Sequence, residues 1–173
     1  KIKFLQNNMI KITEASIEDI AKIQEIAHIT WPITYGEILT KEQLDYMLDL
    51  IYSDEALSKQ IQNKEQLFYM ISEADSIIGF IGIEHHYKNE AITKIHKIYL
   101  LPETQGKGFG KIVFEEIAKM ALENNSNELL LNVNRFNTAL NFYKKLGFEI
   151  KETVDIEIGN GYLMEDYVMW KKI

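Results

Sequence analysis

Ile98-Tyr99-Leu100-Leu101-Pro102-Glu103-Thr104-Gln105-Gly106-Lys107-Gly108-Phe109-Gly110-Lys111 is the stretch that decides the fold. Upstream of it, Ile92, Lys94, His96, Ile98 and Leu100 alternate with Thr93, Ile95, Lys97 and Tyr99, the period of two of a strand. Pro102 stops that strand, because proline has no N–H for a ladder. Downstream, Val113, Ile117, Met120 and Ala121 recur at helical spacing, which predicts a helix over 109–124. The turn between carries three glycines at alternate positions. Glycine permits positive φ and lets a backbone come close to a ligand. The helix after the turn offers unpaired N–H groups and the positive end of its dipole, an anion site suited to a phosphate or pyrophosphate. The competing reading is a flexible turn with incidental glycines. Two phosphate loops fit poorly: Ile112 stands where a Walker A loop needs Ser or Thr, and the glycine spacing departs from the dinucleotide fingerprint.

Working outward, the chain reads as one domain over 9–173, with residues 1–8 as an upstream extension or cloning remnant before a natural start at Met9. Ile10 and Ile12 alternate in a first strand. Ser16 and Asp19 resemble a capping box, opening a helix with Ile20, Ile23, Ile26 and Ala27 on one side; Trp31-Pro32 is expected to end it. Further helices are expected over about 41–50 and 53–63, the latter capped by Ser53. Strands are expected over 67–72 and 77–87, joined by a turn at 74–76. After the glycine turn come a strand over 129–133 and a helix over 137–146 that Gly147 stops. The last two strands, 148–158 and 162–170, meet at Gly159-Asn160-Gly161, a hairpin signal. Helices and strands alternate only in the second half. That order predicts an α+β (mixed α/β) class: a mixed, mostly antiparallel twisted sheet of about six to seven strands with helices on both faces.

Composition excludes several classes. Hydrophobic residues make up 46% and charged residues 26%, which is ordinary for a globular chain and not for a disordered one. Nineteen basic residues against 26 acids give a net charge of −7, which disfavours general nucleic-acid binding. The acidity suits a cationic small substrate. The chain has no cysteine, so a disulfide scaffold, a thiolate zinc site and a Cys nucleophile are excluded. No apolar run reaches the ~18–20 residues of a membrane span, and no signal-peptide pattern is present. The expected location is the cytoplasm. His85 and His86 invite a metal reading, but neighbours on a strand point to opposite faces, and no third ligand has metal-site spacing, so no metal is expected.

Gln105, Gly108 and Gly110 match the Gln/Arg-x-x-Gly-x-Gly/Ala signature of the GNAT N-acetyltransferases. A second stretch, Asn137-Thr138-Ala139-Leu140-Asn141-Phe142-Tyr143-Lys144-Lys145-Leu146-Gly147-Phe148, resembles the family's downstream motif of an Asn, then Ala-x-x-x-Tyr, then Gly-Phe. The Asn stands six residues before the tyrosine, where many members have seven. The element order over 9–173 also resembles that family. Trp31-Pro32-Ile33-Thr34-Tyr35 and the tail from Gly161 to Met169 look like its bacterial spermidine/spermine acetyltransferase-like branch.

The resemblance implies an acetyl-CoA-dependent N-acetyltransferase that moves the acetyl group to a primary amine by direct attack in a ternary complex. Ile98, Tyr99 and Leu100 would pair with the pantetheine arm, with the Leu100 N–H aimed at the thioester carbonyl as an oxyanion donor. Gln105, Gly106, Lys107, Gly108, Phe109, Gly110 and Lys111 would cradle the pyrophosphate. Asn134 and Asn137 would meet the pantetheine amides, and Lys107, Lys144 and Lys145 the 3′-phosphate. Tyr143 would protonate the leaving thiolate. His96 is the first candidate for the base that takes the amine's proton, its reference pKa near 6.5 suiting the task; Glu84 is the second. Trp31, Tyr35, Tyr46 and Tyr162 would line the acceptor pocket, where Glu165 or Asp166 would receive a cationic amine. The expected partners are acetyl-CoA and a small amine such as a polyamine, with no nucleic acid and no membrane; the tail can also cover the edge strand of a second copy in a homodimer. Rival readings are a non-catalytic acyl-CoA-binding module, a protein or peptide N-acetyltransferase, and a nucleotide-binding α/β protein.

Overall fold

A computed structural model describes residues 3–4 and 10–173. The expected extension over 1–8 and the start at Met9 lie mostly outside the described residues. Within that stretch, Lys3–Phe4 forms a short strand, β1, antiparallel to β2 (Ile10–Glu14). The chain divides into two compact units, Lys1–Glu84 with His96–Phe114, and His85–Ile95 with Glu115–Ile173.

In the first unit, Ser16 and Asp19 form the expected capping box, here on a 3-10 turn that leads into α1 (Ile20–Tyr35). α2 (Lys41–Tyr52) starts at Thr40, whose hydroxyl accepts from the Gln43 N–H, and α3 (Asp54–Gln62) is capped by Ser53 as expected. β3 (Leu67–Glu73), β4 (Ser76–Glu84) and β5 (Ile92–Leu100) come next. The strands lie in the order β1-β2-β3-β4-β5. Ile10, Ile12, Ile23, Ile26, Leu57, Ile71, Phe80, Ile81 and Ile83 are at most 2% exposed. Each buried side chain of this size contributes about 1.5–3 kcal/mol.

Two boundaries differ from expectation. α1 runs through Pro32 to Tyr35 instead of ending at Trp31-Pro32. Proline forfeits one helical hydrogen bond there. Trp31 packs on Tyr35, Tyr52 and Tyr99, with ring centroids 4.7, 5.6 and 6.0 Å away. Tertiary packing therefore outweighs the local signal. β4 ends at Glu84, three residues short of its expected end at Tyr87, because His86 takes φ 56° and begins a turn.

In the second unit the order is β5-β6-β8-β7, with β6 (Glu128–Asn134), β7 (Glu149–Glu157) and β8 (Leu163–Lys172). β5 and β6 are parallel, and their rungs run only from Ile92↔Glu128 to Ile95↔Leu131. A parallel pair requires a crossover, and that connection contains α4 (Phe109–Glu123). β6–β8 and β8–β7 are antiparallel. The expected turn joins β7 and β8: Gly159, Asn160 and Gly161 all have positive φ. α5 is shorter than expected, Leu140–Lys145, because residues 137–139 form a turn in which the Asn137 side chain accepts from the Ala139 N–H at 2.9 Å. The class is α+β with a mixed sheet, as expected, and the described residues hold eight strands where six to seven were expected.

Candidate active site

The two residues proposed as alternative bases are partners. Glu84 closes β4, and His96 lies in the middle of β5 on the Ile98–Leu100 face. The Glu84 Oε2 stands 2.8 Å from the His96 Nε2. The His96 and Glu84 side chains are 21% and 36% exposed, so both reach solvent while leaning on the sheet. A carboxylate on Nε2 holds that nitrogen as the N–H donor and leaves Nδ1 as the proton acceptor.

Beyond Ile95, β5 has no further rung with β6, so residues 96–100 keep strand pairing on their β4 side alone. Ile98, Tyr99 and Leu100 are half-buried there. The chain then turns through Pro102–Thr104, where the Thr104 hydroxyl donates to the Leu101 carbonyl at 2.6 Å. Gly106 and Gly108 take φ of 78° and 76°, and an added Cβ would meet nothing within 4 Å at either. Their glycine identity therefore serves backbone conformation and leaves the space above them open. Phe109 is buried and pins the first turn of α4, whose leading N–H groups have no acceptor within the helix. Gln105, Lys107 and Lys111 are exposed, and Lys107 lies 3.5 Å from Glu73.

In the second unit, Tyr143 sits in the last turn of α5. Gly147, at φ 94°, ends that helix. The Phe148 N–H donates to the Tyr143 carbonyl at 3.1 Å and the Gly147 N–H to the Lys144 carbonyl at 3.0 Å, the paired bonds of a Schellman stop. Phe148 lies edge-on to the Tyr143 ring at 6.2 Å. Asn134 accepts from the Phe136 N–H at 2.9 Å. Asn134 and Asn137 thus commit their side-chain oxygens to the local backbone, and the amide nitrogens are the ends that a ligand would meet. Lys144 and Lys145 are exposed at the end of α5, where cations complement the helix dipole.

The aromatic residues expected around an acceptor divide. Trp31 is 3% exposed and belongs to the core. Tyr35 is half-buried, and its hydroxyl meets that of Tyr99 at 3.2 Å. Tyr46 is half-buried on α2, and Tyr162 lies in the β7–β8 turn. Asp166 is 3% exposed. Burial pushes its carboxyl up, against the opposing pull of Asn132, Arg135 and Lys94. Glu165 lies 3.6 Å from the Arg135 guanidinium. An open groove of about 620 Å³ along α1–α3 is lined by Gln24, His28, Asp45, Asp49 and Asp54, among others, and by no expected site residue. His85 is engaged by the Thr93 hydroxyl at 2.8 Å. Among the described residues no cluster of three or more His, Asp or Glu is placed to hold a metal.

Lys97, which sequence reading passed over, is 7% exposed on the β5 face opposite His96. Its ammonium donates to the Gln66 and Gln60 side-chain carbonyls at 2.7 and 3.0 Å. Burial lowers its pKa to about 7. The unfolded chain then binds a proton that the folded chain lacks between about pH 7 and 10, so this lysine makes stability rise with pH across that window, by at most about 1.4 kcal/mol per unit. Urea unfolding at pH 7.5 and 9 is expected to show that gain in the wild type and to show it reduced in Lys97→Met. Equal pH dependence in both proteins would refute it.

Against known proteins, residues 37–169 match the family model for an acetyltransferase (GNAT) domain. The chain is 32% identical over 161 residues to a spermidine N(1)-acetyltransferase of Thermoplasma acidophilum, covering 90% of this chain and 96% of that one. It is 26% identical over 168 residues to the N-acetyltransferase YuaI of Bacillus subtilis, covering 94% and 93%. The crystal structure of the PaiA N-acetyltransferase of Thermoplasma acidophilum in complex with coenzyme A superposes with a TM-score of 0.79 at 29% identity, over 95% of this chain and 99% of that one. No helix among the described residues is long and apolar enough to cross a membrane. The chain belongs to the GNAT acetyltransferases, enzymes that draw their acetyl group from acetyl-CoA.

Proposed function

We propose that this enzyme transfers acetyl from acetyl-CoA to a primary amine of a small cationic molecule, a polyamine being the first class to test, by direct attack without a covalent enzyme intermediate. The observation that carries the reading is the 2.8 Å contact between Glu84 and His96 on neighbouring strands. An ammonium cannot attack a thioester; a base must take its proton first. In this reading His96 accepts that proton at Nδ1, and Glu84 fixes the tautomer and stabilises the imidazolium that forms. The Leu100 N–H meets the developing oxyanion. The loop from Gln105 to Lys111 receives the pyrophosphate, using the positive φ of Gly106 and Gly108 and the amides that open α4. Tyr143 gives its proton to the leaving thiolate. The lysines at 107, 144 and 145 supply charge for the 3′-phosphate, and Asn134 and Asn137 donate to the pantetheine amides. For the acceptor class, support comes from the net charge of −7 and from the activity named for the 32%-identical relative. Tyr35 and Tyr162 are the residues proposed to meet the acceptor in this reading; Trp31 and Asp166, each 3% exposed, are not. The enzyme is read as cytoplasmic.

Thiol release from acetyl-CoA tests the reading directly. With no cysteine in the chain, the protein adds no background. Release that depends on polyamines, and exceeds that with amino acids or peptides, is the expected result. Tight acetyl-CoA binding without transfer to any amine would instead favour an acyl-CoA-binding module, and release only with a peptide amine would favour a peptide N-acetyltransferase.

A further inference from the structure

We infer that Gly79, on β4, is a positioning residue for the reaction: the missing side chain there lets the Tyr99–Leu100 peptide stand edge-on to β4 with its N–H aimed outward. The inference rests on the reading of Leu100 as oxyanion donor.

Three observations converge on Gly79. First, β4 is irregular at this point. Ile71 of β3 faces Gly79 while Ser72 faces Ile77, so Ile78 has no partner residue on β3. A bulge of this kind bends a strand and re-aims the residues beside it. Second, a Cβ on Gly79 would lie 2.4 Å from the Tyr99 carbonyl oxygen, 2.7 Å from the Leu100 Cδ2 and 3.3 Å from the Leu100 Cα. The nearest obstacle is backbone and cannot swing aside as a flexible side chain can. Third, the Leu101 N–H donates to the Ile78 carbonyl at 2.8 Å, so the end of β5 is fastened to the bulge itself.

Peptide geometry turns this contact into an aim. The Tyr99 C=O and the Leu100 N–H belong to one planar trans unit, and they point in opposite directions. Because the Tyr99 oxygen rests against Gly79, the Leu100 N–H points away from β4. That is the edge of β5 on which the ladder to β6 has already stopped, at Ile95. A side chain at 79 presses on the oxygen, tilts the peptide plane and re-aims the N–H. A strand glycine with close backbone approach is the general signal for such a site.

Gly82 supplies the control. It lies on the same strand, also buried, but its added Cβ would meet the Gln66 Oε1 at 2.8 Å and Lys97 side-chain atoms beyond 3.4 Å. Those atoms are side-chain atoms away from Leu100. A second probe is Leu101→Pro. Leu101 already has φ −58°, which proline adopts without strain, and the substitution removes the N–H that fastens β5 to Ile78 together with the leucine side chain, while leaving Leu100 in the extended region that a residue before proline prefers.

The experiment compares the ¹⁵N–¹H shift of the Leu100 amide on addition of acetyl-CoA and of CoA, together with kcat for thiol release. In the wild type the Leu100 amide is expected to shift further with acetyl-CoA than with CoA. In Gly79→Ala that difference disappears and kcat falls about 10²-fold, the size of losing one oxyanion donor, while the Gly106 and Gly108 amides respond as before. Leu101→Pro moves both readouts in the same direction by less. Gly82→Ala lowers Tm but keeps both. Should Gly79→Ala not fold, Leu101→Pro and Gly82→Ala decide the matter. A folded Gly79→Ala, or failing that a Leu101→Pro, that keeps the Leu100 difference and kcat overturns the inference alone. A wild type that neither binds acetyl-CoA nor releases thiol overturns the functional reading and the inference with it.

Discussion

His96→Asn is expected to lower kcat by about 10²- to 10³-fold at neutral pH, the usual contribution of a positioned general base. The dissociation constant for acetyl-CoA should stay nearly unchanged, because the residue handles the amine's proton and not the nucleotide. Asparagine keeps a polar group near the Nδ1 position but offers no nitrogen lone pair there, and it stops short of the Nε2 position that meets Glu84. Glu84→Gln is expected to cost less, about tenfold or somewhat more. Glutamine still reaches the His96 Nε2, 2.8 Å from the native carboxylate, yet its amide can donate as well as accept, so the tautomer is no longer fixed and the imidazolium loses its counter-charge. Since one group acts through the other, the double variant should be little worse than His96→Asn alone. Steady-state thiol release and calorimetric acetyl-CoA titration measure these quantities. A His96→Asn enzyme with wild-type turnover would remove histidine from the reaction. Near-total loss in Glu84→Gln with only a small loss in His96→Asn would exchange the two roles.

Legibility in the sequence tracks the range of the interactions. The turn at 105–110 was readable because glycine is a local requirement: Gly106 and Gly108 sit at positive φ, and no neighbour is needed to explain them. The stop at Gly147 and the caps at Ser16 and Ser53 are equally local, each closed within a few residues. The alternation in β5 also predicted its faces. It did not say what covers them, and so Lys97 read as an ordinary strand lysine although α3 and the loop before β3 bury it with Gln60 and Gln66. The Glu84–His96 pair spans a turn between two strands; the family resemblance and the strand positions named both residues as separate candidates, but only the folded structure made them partners. Trp31 is the opposite case. Its local context suggested a helix end and the family resemblance a pocket wall, and contacts with Tyr52 and Tyr99, remote in sequence, placed it in the core and carried the helix past Pro32. Gly79 was visible as a glycine in an isoleucine-rich strand, but the reason for it is the backbone of another strand.

Tyr143→Phe should separate chemistry from binding most cleanly. The substitution removes one O–H and leaves the ring, so the edge-on contact with Phe148 at 6.2 Å and the Gly147 stop persist; Tm is expected to change little. If the hydroxyl protonates the departing thiolate, kcat falls about 10²-fold, with the acetyl-CoA dissociation constant hardly altered. The loss should be smaller for an activated thioester whose thiolate needs no proton to leave, such as one built on a strongly acidic aryl thiol, and this dependence on leaving-group basicity is what a purely structural tyrosine cannot produce. Gly147→Ala probes the same residue from behind. A side chain at φ 94° is strained by about 1 kcal/mol or more, which loosens the turn that anchors the Tyr143 carbonyl. That variant should lose stability and several-fold in kcat for all acyl donors alike, since it blurs the position of the hydroxyl without deleting it. If Tyr143→Phe instead loses the same factor with basic and non-basic leaving groups, the hydroxyl positions the ligand and the thiolate takes its proton from solvent.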